Sequence, residues 1–155
     1  MTMTAEPGLA GLQARTQAEL APRLMAQLQR LNWDADRLAA HQADRLRALL
    51  ARAIGGSPFH ARRLEHIDPA RLELADLPRL PTMTKAEMMA SFDEVATDRR
   101  LTRRRVEDHL RGGGRQAALL LGDYVCLASG GSSGQRGVFV QTISEYADMA
   151  ASLRR

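Results

Sequence analysis

Apolar residues recur at helical spacing through roughly the first two thirds of the chain and then give way to short continuous runs. Leu20, Leu24, Leu28 and Leu31 keep a three-to-four-residue period. That spacing predicts a helix over about 21–31, with Pro22 at its first position, where a missing N–H costs nothing. Thr16 and Glu19 have the form of a capping box, but Pro22 would break a helix begun there, so a turn is expected instead. Residues 1–15, with Pro7, Gly8 and Gly11, read as a flexible N-terminus. Asp34 predicts the cap of a longer helix, about 35–54, with Leu38, Leu46, Leu49 and Ala53 on one face and Leu50 and Ile54 beside them. Gly55 and Gly56 stop it.

Ser57 and Pro58 predict the cap and first turn of a short helix. Pro69, Pro78 and Pro81 mark residues 67–82 as an extended connector. Thr84 with Glu87 is a capping box that opens a helix to about 91, and Thr102 predicts the cap of another over about 103–111. After Gly112, Gly113 and Gly114 the pattern changes. Two apolar runs, 117–121 and Tyr124–Ala128, flank a Gly122-Asp123 turn and read as a hairpin. Val138–Val140 reads as a third strand, and Thr142 with Glu145 as the capping box of a final helix over about 143–155. The expected fold class is α/β. A helical portion over 16–111 precedes a small β segment over 117–141, which carries a Gly/Ser-rich loop. Three short strands would leave open edges, so residues 16–155 read as part of a larger domain.

Composition narrows the choices. The chain has 155 residues, 45% of them hydrophobic and 26% charged, enough to bury a core. The net charge is +4, and Lys85 stands alone among arginines. The run Arg99, Arg100, Arg103, Arg104 and Arg105 could meet nucleic-acid phosphates. It is interleaved with Asp98, Glu107 and Asp108, so a solvated helix face is the favoured reading and nucleic acid the disfavoured partner. Cys126 is the only cysteine and lies in an apolar run, which suits a buried strand thiol. No basic leader and no apolar run of about 20 residues is present, so a cytoplasmic protein without membrane contact is expected. His41, His60, His66 and His109 lack metal-ligand spacing, and no metal site is expected among them.

The chemistry concentrates in Leu127–Val140. Ser129, Gly130, Gly131, Ser132, Ser133 and Gly134 run together between two apolar strands. Glycine lets backbone N–H groups turn toward a ligand, serine hydroxyls add donors, and Arg136 adds a positive charge. Such a set suits a polyphosphate, and a flexible hairpin linker is the competing reading. The same letters fit a G-x-S-x-G nucleophile elbow, but a strand follows where a helix is needed, and the last histidine, His109, lies upstream. Gly112–Ala117 fits G-x-G-x-x-A but also leads into a strand, which excludes a dinucleotide fingerprint.

The Ser129–Gly134 run resembles the Ser/Thr/Gly-rich ATP loop of adenylate-forming enzymes, the superfamily of acyl-CoA synthetases, luciferases and peptide-synthetase adenylation domains. It departs from that loop at Arg136, where proline is common, and at Gly137, where a basic residue is common. Upstream, Ser57-Pro58-Phe59-His60 followed by Arg62-Arg63-Leu64 resembles a stretch of phenylacetate-CoA ligase-like members. Leu77-Pro78-Arg79-Leu80-Pro81-Thr82-Met83-Thr84-Lys85 resembles a second. The three motifs keep the order of that group, and the resemblance spans about residues 34–150.

The resemblance implies an N-terminal part of an ATP-dependent carboxylate-CoA ligase, forming first an acyl-adenylate and then an acyl-CoA. ATP, magnesium and coenzyme A would be the co-substrates and cofactors, and a small carboxylic acid the substrate. Ser129, Gly130, Gly131, Ser132, Ser133 and Gly134 would touch the phosphates, with Gln135 and Arg136 flanking. The group's catalytic lysine belongs to a C-terminal domain, so Lys85 is read as the first residue of a capped helix and no catalytic residue is expected here. The isolated chain is therefore expected not to complete adenylation, and a complementing C-terminal segment or a second copy is an expected partner. A non-catalytic helical interaction or nucleic-acid-binding module using the arginines is the alternative.

Overall fold

The computed structural model describes residues 9–112, 119–130 and 136–153. In chain order the elements are α1 (Leu9–Arg30), α2 (Ala35–Gly56), α3 (Pro58–Arg63), α4 (Lys85–Ala90), α5 (Phe92–Val95), α6 (Arg103–Gly112), β1 (Tyr124–Ala128), β2 (Val138–Thr142) and α7 (Ile143–Leu153). The architecture is mostly helical with a small two-stranded antiparallel sheet, an α/β arrangement in the coarse sense. Two compact units form. One is Trp33–Arg103, and the other joins Met1–Asn32 to Arg104–Arg155. Among the described residues no helix is long and apolar enough to cross a membrane.

In the Trp33–Arg103 unit, α2 starts where Asp34 accepts the Arg37 N–H at 2.7 Å, as its sequence predicts. Leu50 on α2 is buried with Leu64 and Leu72, and Leu46, Ile54, Ile67 and Leu80 pack around them. The expected face was centred differently. Leu49 is 63% exposed and Leu38 37%. The stripe that meets Leu64 and Leu72 runs through Leu46, Leu50 and Ile54 at four-residue steps, and Leu49 lies a quarter-turn away. Arg47 adds a bond from Nε to the Leu72 carbonyl at 2.9 Å.

The expected extended connector contains two short 3-10 turns, Pro69–Arg71 and Leu74–Arg79. Aspartates create them locally. Asp68 accepts the Ala70 N–H at 3.0 Å, and Asp76 accepts the Glu73 N–H at 3.1 Å. Thr84 and Glu87 cap α4 reciprocally, with bonds of 2.7 and 3.2 Å. The expected helix to about 91 ends at Ala90 with Ser91 as its C-cap, and the short α5 follows it.

In the other unit α1 corrects the sequence expectation. It begins at Leu9 and passes through Pro22 without ending. Proline removes one helical bond, to the carbonyl four residues back. Arg23 reinforces the same turn, donating to the Glu19 carbonyl at 2.7 Å and to the Glu19 carboxylate at 2.5 Å. It also reaches α7, at the Asp148 carboxylate (2.9 Å) and the Ser144 hydroxyl (2.5 Å). Gln27 donates to Ser152 at 3.1 Å. Packing on α7 thus outweighs the proline's local preference. Thr16 is not a cap but sits mid-helix, with its hydroxyl turned back to the Leu12 carbonyl at 2.9 Å.

Helix α7 buries Ile143, Ala147 and Ala151 at four-residue steps and packs on α1 and both strands. Its expected capping box is present. Glu145 accepts the Thr142 N–H at 2.8 Å, and Thr142 accepts the Glu145 N–H at 3.2 Å. Strands β1 and β2 pair with Tyr124 opposite Thr142 and Ala128 opposite Val138. The expected strand at 117–121 is, among the described residues, a single bridge from Leu120 to Tyr124. The turn between them holds Leu121 at φ 56° and Gly122 at φ 77°, both left-handed.

Candidate functional site

The Ser/Gly segment connects the two strands of the hairpin. Past the Ala128–Val138 rung one further residue pair closes its base. The Ser129 N–H donates to the Gly137 carbonyl at 2.9 Å, and the Gly137 N–H donates to the Ser129 hydroxyl oxygen at 2.9 Å. Gly130–Arg136 is what remains as the loop. Of the expected site residues, Ser129, Gly130 and Arg136 lie within the described residues. Gly131, Ser132, Ser133, Gly134 and Gln135 lie outside them.

The described ends of the loop are chemically distinct. Ser129 is half-buried and its oxygen is engaged within the protein. Gly130 is exposed, and among the described residues a Cβ built there meets no atom within 4 Å, which leaves the end of β1 open on their side. Arg136 is exposed, and among the described residues no carboxylate pairs with it. A closed hairpin base, an open approach and an arginine without an acidic partner suit an anion better than a cation. The fit to magnesium is different. Among the described residues no group of three or more His, Cys, Asp or Glu side chains could hold a metal ion.

Arg99 to Arg105 is tied into its own surroundings. Arg100 pairs with Asp98 at 2.6 Å, Arg104 with Asp108 at 3.8 Å, and Arg99 donates to the Ala96 carbonyl at 3.0 Å. Arg103 donates from its guanidinium to the Met89 carbonyl at 3.1 Å. This is the interleaved pattern of a solvated face. Lys85 is the first residue of α4, immediately after the Thr84 cap. Hydrogen bonds from the Thr84 N–H and hydroxyl hold the Glu87 carboxyl below its ordinary range.

The histidines are dispersed. His41 meets the Trp33 ring edge-on at 5.3 Å, and His60 meets Phe59 in the same way. Burial, and then the charge of Arg63, lower the pKa of His60. Cys126 is half-buried in β1, and burial pushes its thiol up to about 11. That is the opposite of what a nucleophile needs.

A concavity of about 360 Å³ lies in the Trp33–Arg103 unit and is lined by Met89, Ser91, Phe92, Asp93, Glu94 and Arg103. Its two carboxylates already hold partners. Asp93 accepts the Arg103 N–H at 2.6 Å, and Glu94 pairs with Arg62.

The Ser129–Gly137 closure is the feature that pattern reading did not reveal. A serine at a strand end facing a glycine across a hairpin is its sequence signal, visible only once the register of β1 on β2 is known. No protein-family model matches this chain, and neither a curated protein nor a solved structure matches it.

Proposed function

We propose that these residues form the N-terminal part of an adenylate-forming carboxylate-CoA ligase, with the Ser129–Arg136 loop gripping the phosphates of ATP. The observation that carries this reading is the placement of the Ser/Gly run. It joins two antiparallel strands, its base is closed by Ser129 and Gly137, and a capped helix follows at Ile143. The order strand, loop, strand, helix is one in which loop amides can converge on an anion. The upstream motifs at Ser57–Leu64 and Leu77–Lys85 support the same reading by their order along the chain.

In this reading ATP supplies the leaving pyrophosphate, and magnesium would offset the charge of its phosphates. The chain's own part is to bind and orient. Gly130 leaves room for the approach, and Arg136 supplies a cation beside the loop. Each hydrogen bond to a charged oxygen contributes roughly 1.5–3 kcal/mol. Acyl-adenylate formation, thioester formation and the choice of acid belong to the same proposal. The arginine-based nucleic-acid reading gains no separate observation, because that run is largely paired within the protein.

Titration calorimetry with Mg-ATP and with pyrophosphate tests the proposal. Wild type should bind both, and Gly131→Leu should bind neither while keeping its helical circular dichroism. Equal heats for the two proteins would remove the loop from any phosphate-binding role.

A further inference from the structure

We infer that the solvent side of α2 is a docking surface for an acidic amphipathic helix of another protein. The surface belongs wholly to the Trp33–Arg103 unit and needs no phosphate binding at the Ser/Gly loop.

Helix α2 carries two rows of side chains. One, Leu46, Leu50 and Ile54, faces Leu64 and Leu72 in the core. The other is Leu38, Gln42, Arg45, Leu49 and Arg52, spaced four, three, four and three residues apart. That alternation is the spacing of a coiled-coil seam, and it keeps one line of contact along about 21 Å of helix. The second row lies about 120° round the helix from the first. All of its residues are exposed, Leu49 at 63% and Leu38 at 37%. Leucines about three turns apart on one line differ from the singly scattered apolar residues of an ordinary surface.

The arginines decide what can lie on this row. Arg45 stands at its middle, and among the described residues no carboxylate pairs with it. The carboxylates of α2 lie elsewhere on the helix. Asp44 is on another flank and pairs with Arg47 at 3.3 Å, and Asp36 is in the first turn, on the side opposite the row. A partner that covers the leucines also covers Arg45, and burying an unpaired charge is costly. Such a partner therefore brings a carboxylate to Arg45 and apolar side chains to Leu38 and Leu49. A second copy of α2, aligned in register in either direction, sets Arg45 against Arg45 and is disfavoured. Duplex nucleic acid would meet the arginines and leave the leucines in water.

The test uses the full chain and a synthetic three-heptad peptide whose seam alternates leucine and glutamate, with a lysine-for-glutamate peptide as its counterpart. Affinity is read by fluorescence anisotropy at two salt concentrations. The wild type should bind the glutamate peptide, lose affinity with added salt, and leave the lysine peptide unbound. Arg45→Glu should weaken the glutamate peptide by at least about tenfold and gain the lysine peptide. Leu49→Ser, at an exposed position, should also weaken the glutamate peptide while keeping the wild-type urea midpoint. Equal affinity for the two peptides, an Arg45→Glu variant that binds as wild type does, or a wild type that binds neither overturns the inference. A short DNA duplex and phosphatidylserine vesicles identify other occupants. Binding to either that falls in Arg45→Glu but not in Leu49→Ser, without preference between the peptides, assigns the face to a polyanion and overturns the docked helix. So does a concentration-dependent dimer that Leu49→Ser abolishes, which makes a second copy the occupant.

Discussion

The Ser57 hydroxyl donates to the Glu94 carbonyl at 2.8 Å while its oxygen accepts the His60 N–H at 3.2 Å. One side chain, 1% exposed, therefore caps α3 and satisfies a carbonyl at the end of α5. Ser57→Ala removes the cap and strands a buried acceptor, each worth about 1 kcal/mol or more. The variant should lose about 2 kcal/mol in urea denaturation. A loss below roughly 0.5 kcal/mol would show that water replaces the hydroxyl.

Leu121 occupies the left-handed region at φ 56°, which costs a side-chain-bearing residue about 1 kcal/mol. Leu121→Gly should be neutral or slightly stabilising. Leu121→Val, β-branched, should be less stable than the glycine variant by about 1 kcal/mol, although it keeps more apolar surface. Reversal of that order in denaturant midpoints would mean that packing of the side chain, not the backbone, governs the turn.

His60 titrates below its ordinary value of 6.5, first from burial and then from Arg63. The fold thus prefers the neutral ring, and the unfolded chain binds the proton more readily. Stability is fully present above 6.5 and declines as pH falls through that value, levelling off below the lowered folded pKa. Urea midpoints measured between pH 7.5 and 5 should show this slope in wild type and a shallower one in His60→Gln. Parallel slopes would assign the pH dependence to other groups.

Cys126 has its thiol raised from 9.0 to about 11 by burial in β1. At a fixed pH near 8 that leaves roughly a hundredfold less thiolate than an unperturbed cysteine. Iodoacetamide should label the native protein about a hundredfold more slowly than the urea-unfolded protein. Equal rates would place the thiol in water.

What the sequence made legible was local. Asp34, Thr84 with Glu87, and Thr142 with Glu145 each cap the helix they were expected to cap, because donor and acceptor lie within four residues. What it hid was long-range. Pro22 reads as a helix boundary until Arg23 is seen bonded to residues more than a hundred positions away. Leu49 and Leu50 are indistinguishable as letters, and only Leu64 and Leu72 decide which of them turns inward. At the candidate site the Gly/Ser composition was readable, while the closure by Ser129 depended on strand register. The aspartate-built turns at Asp68 and Asp76 were hidden for another reason, the three prolines that dominate that segment's pattern.

The pairing of α1 with α7 sets an order of events during synthesis. Residues 33–103 can emerge from the ribosome and assemble as a unit while α1, already made, still lacks the helix it leans on. Through that interval the proline-bearing helix has only its marginal intrinsic stability. Until Asp148 and Ser152 arrive on α7, Arg23 and Gln27 lack the partners they hold there in the finished fold.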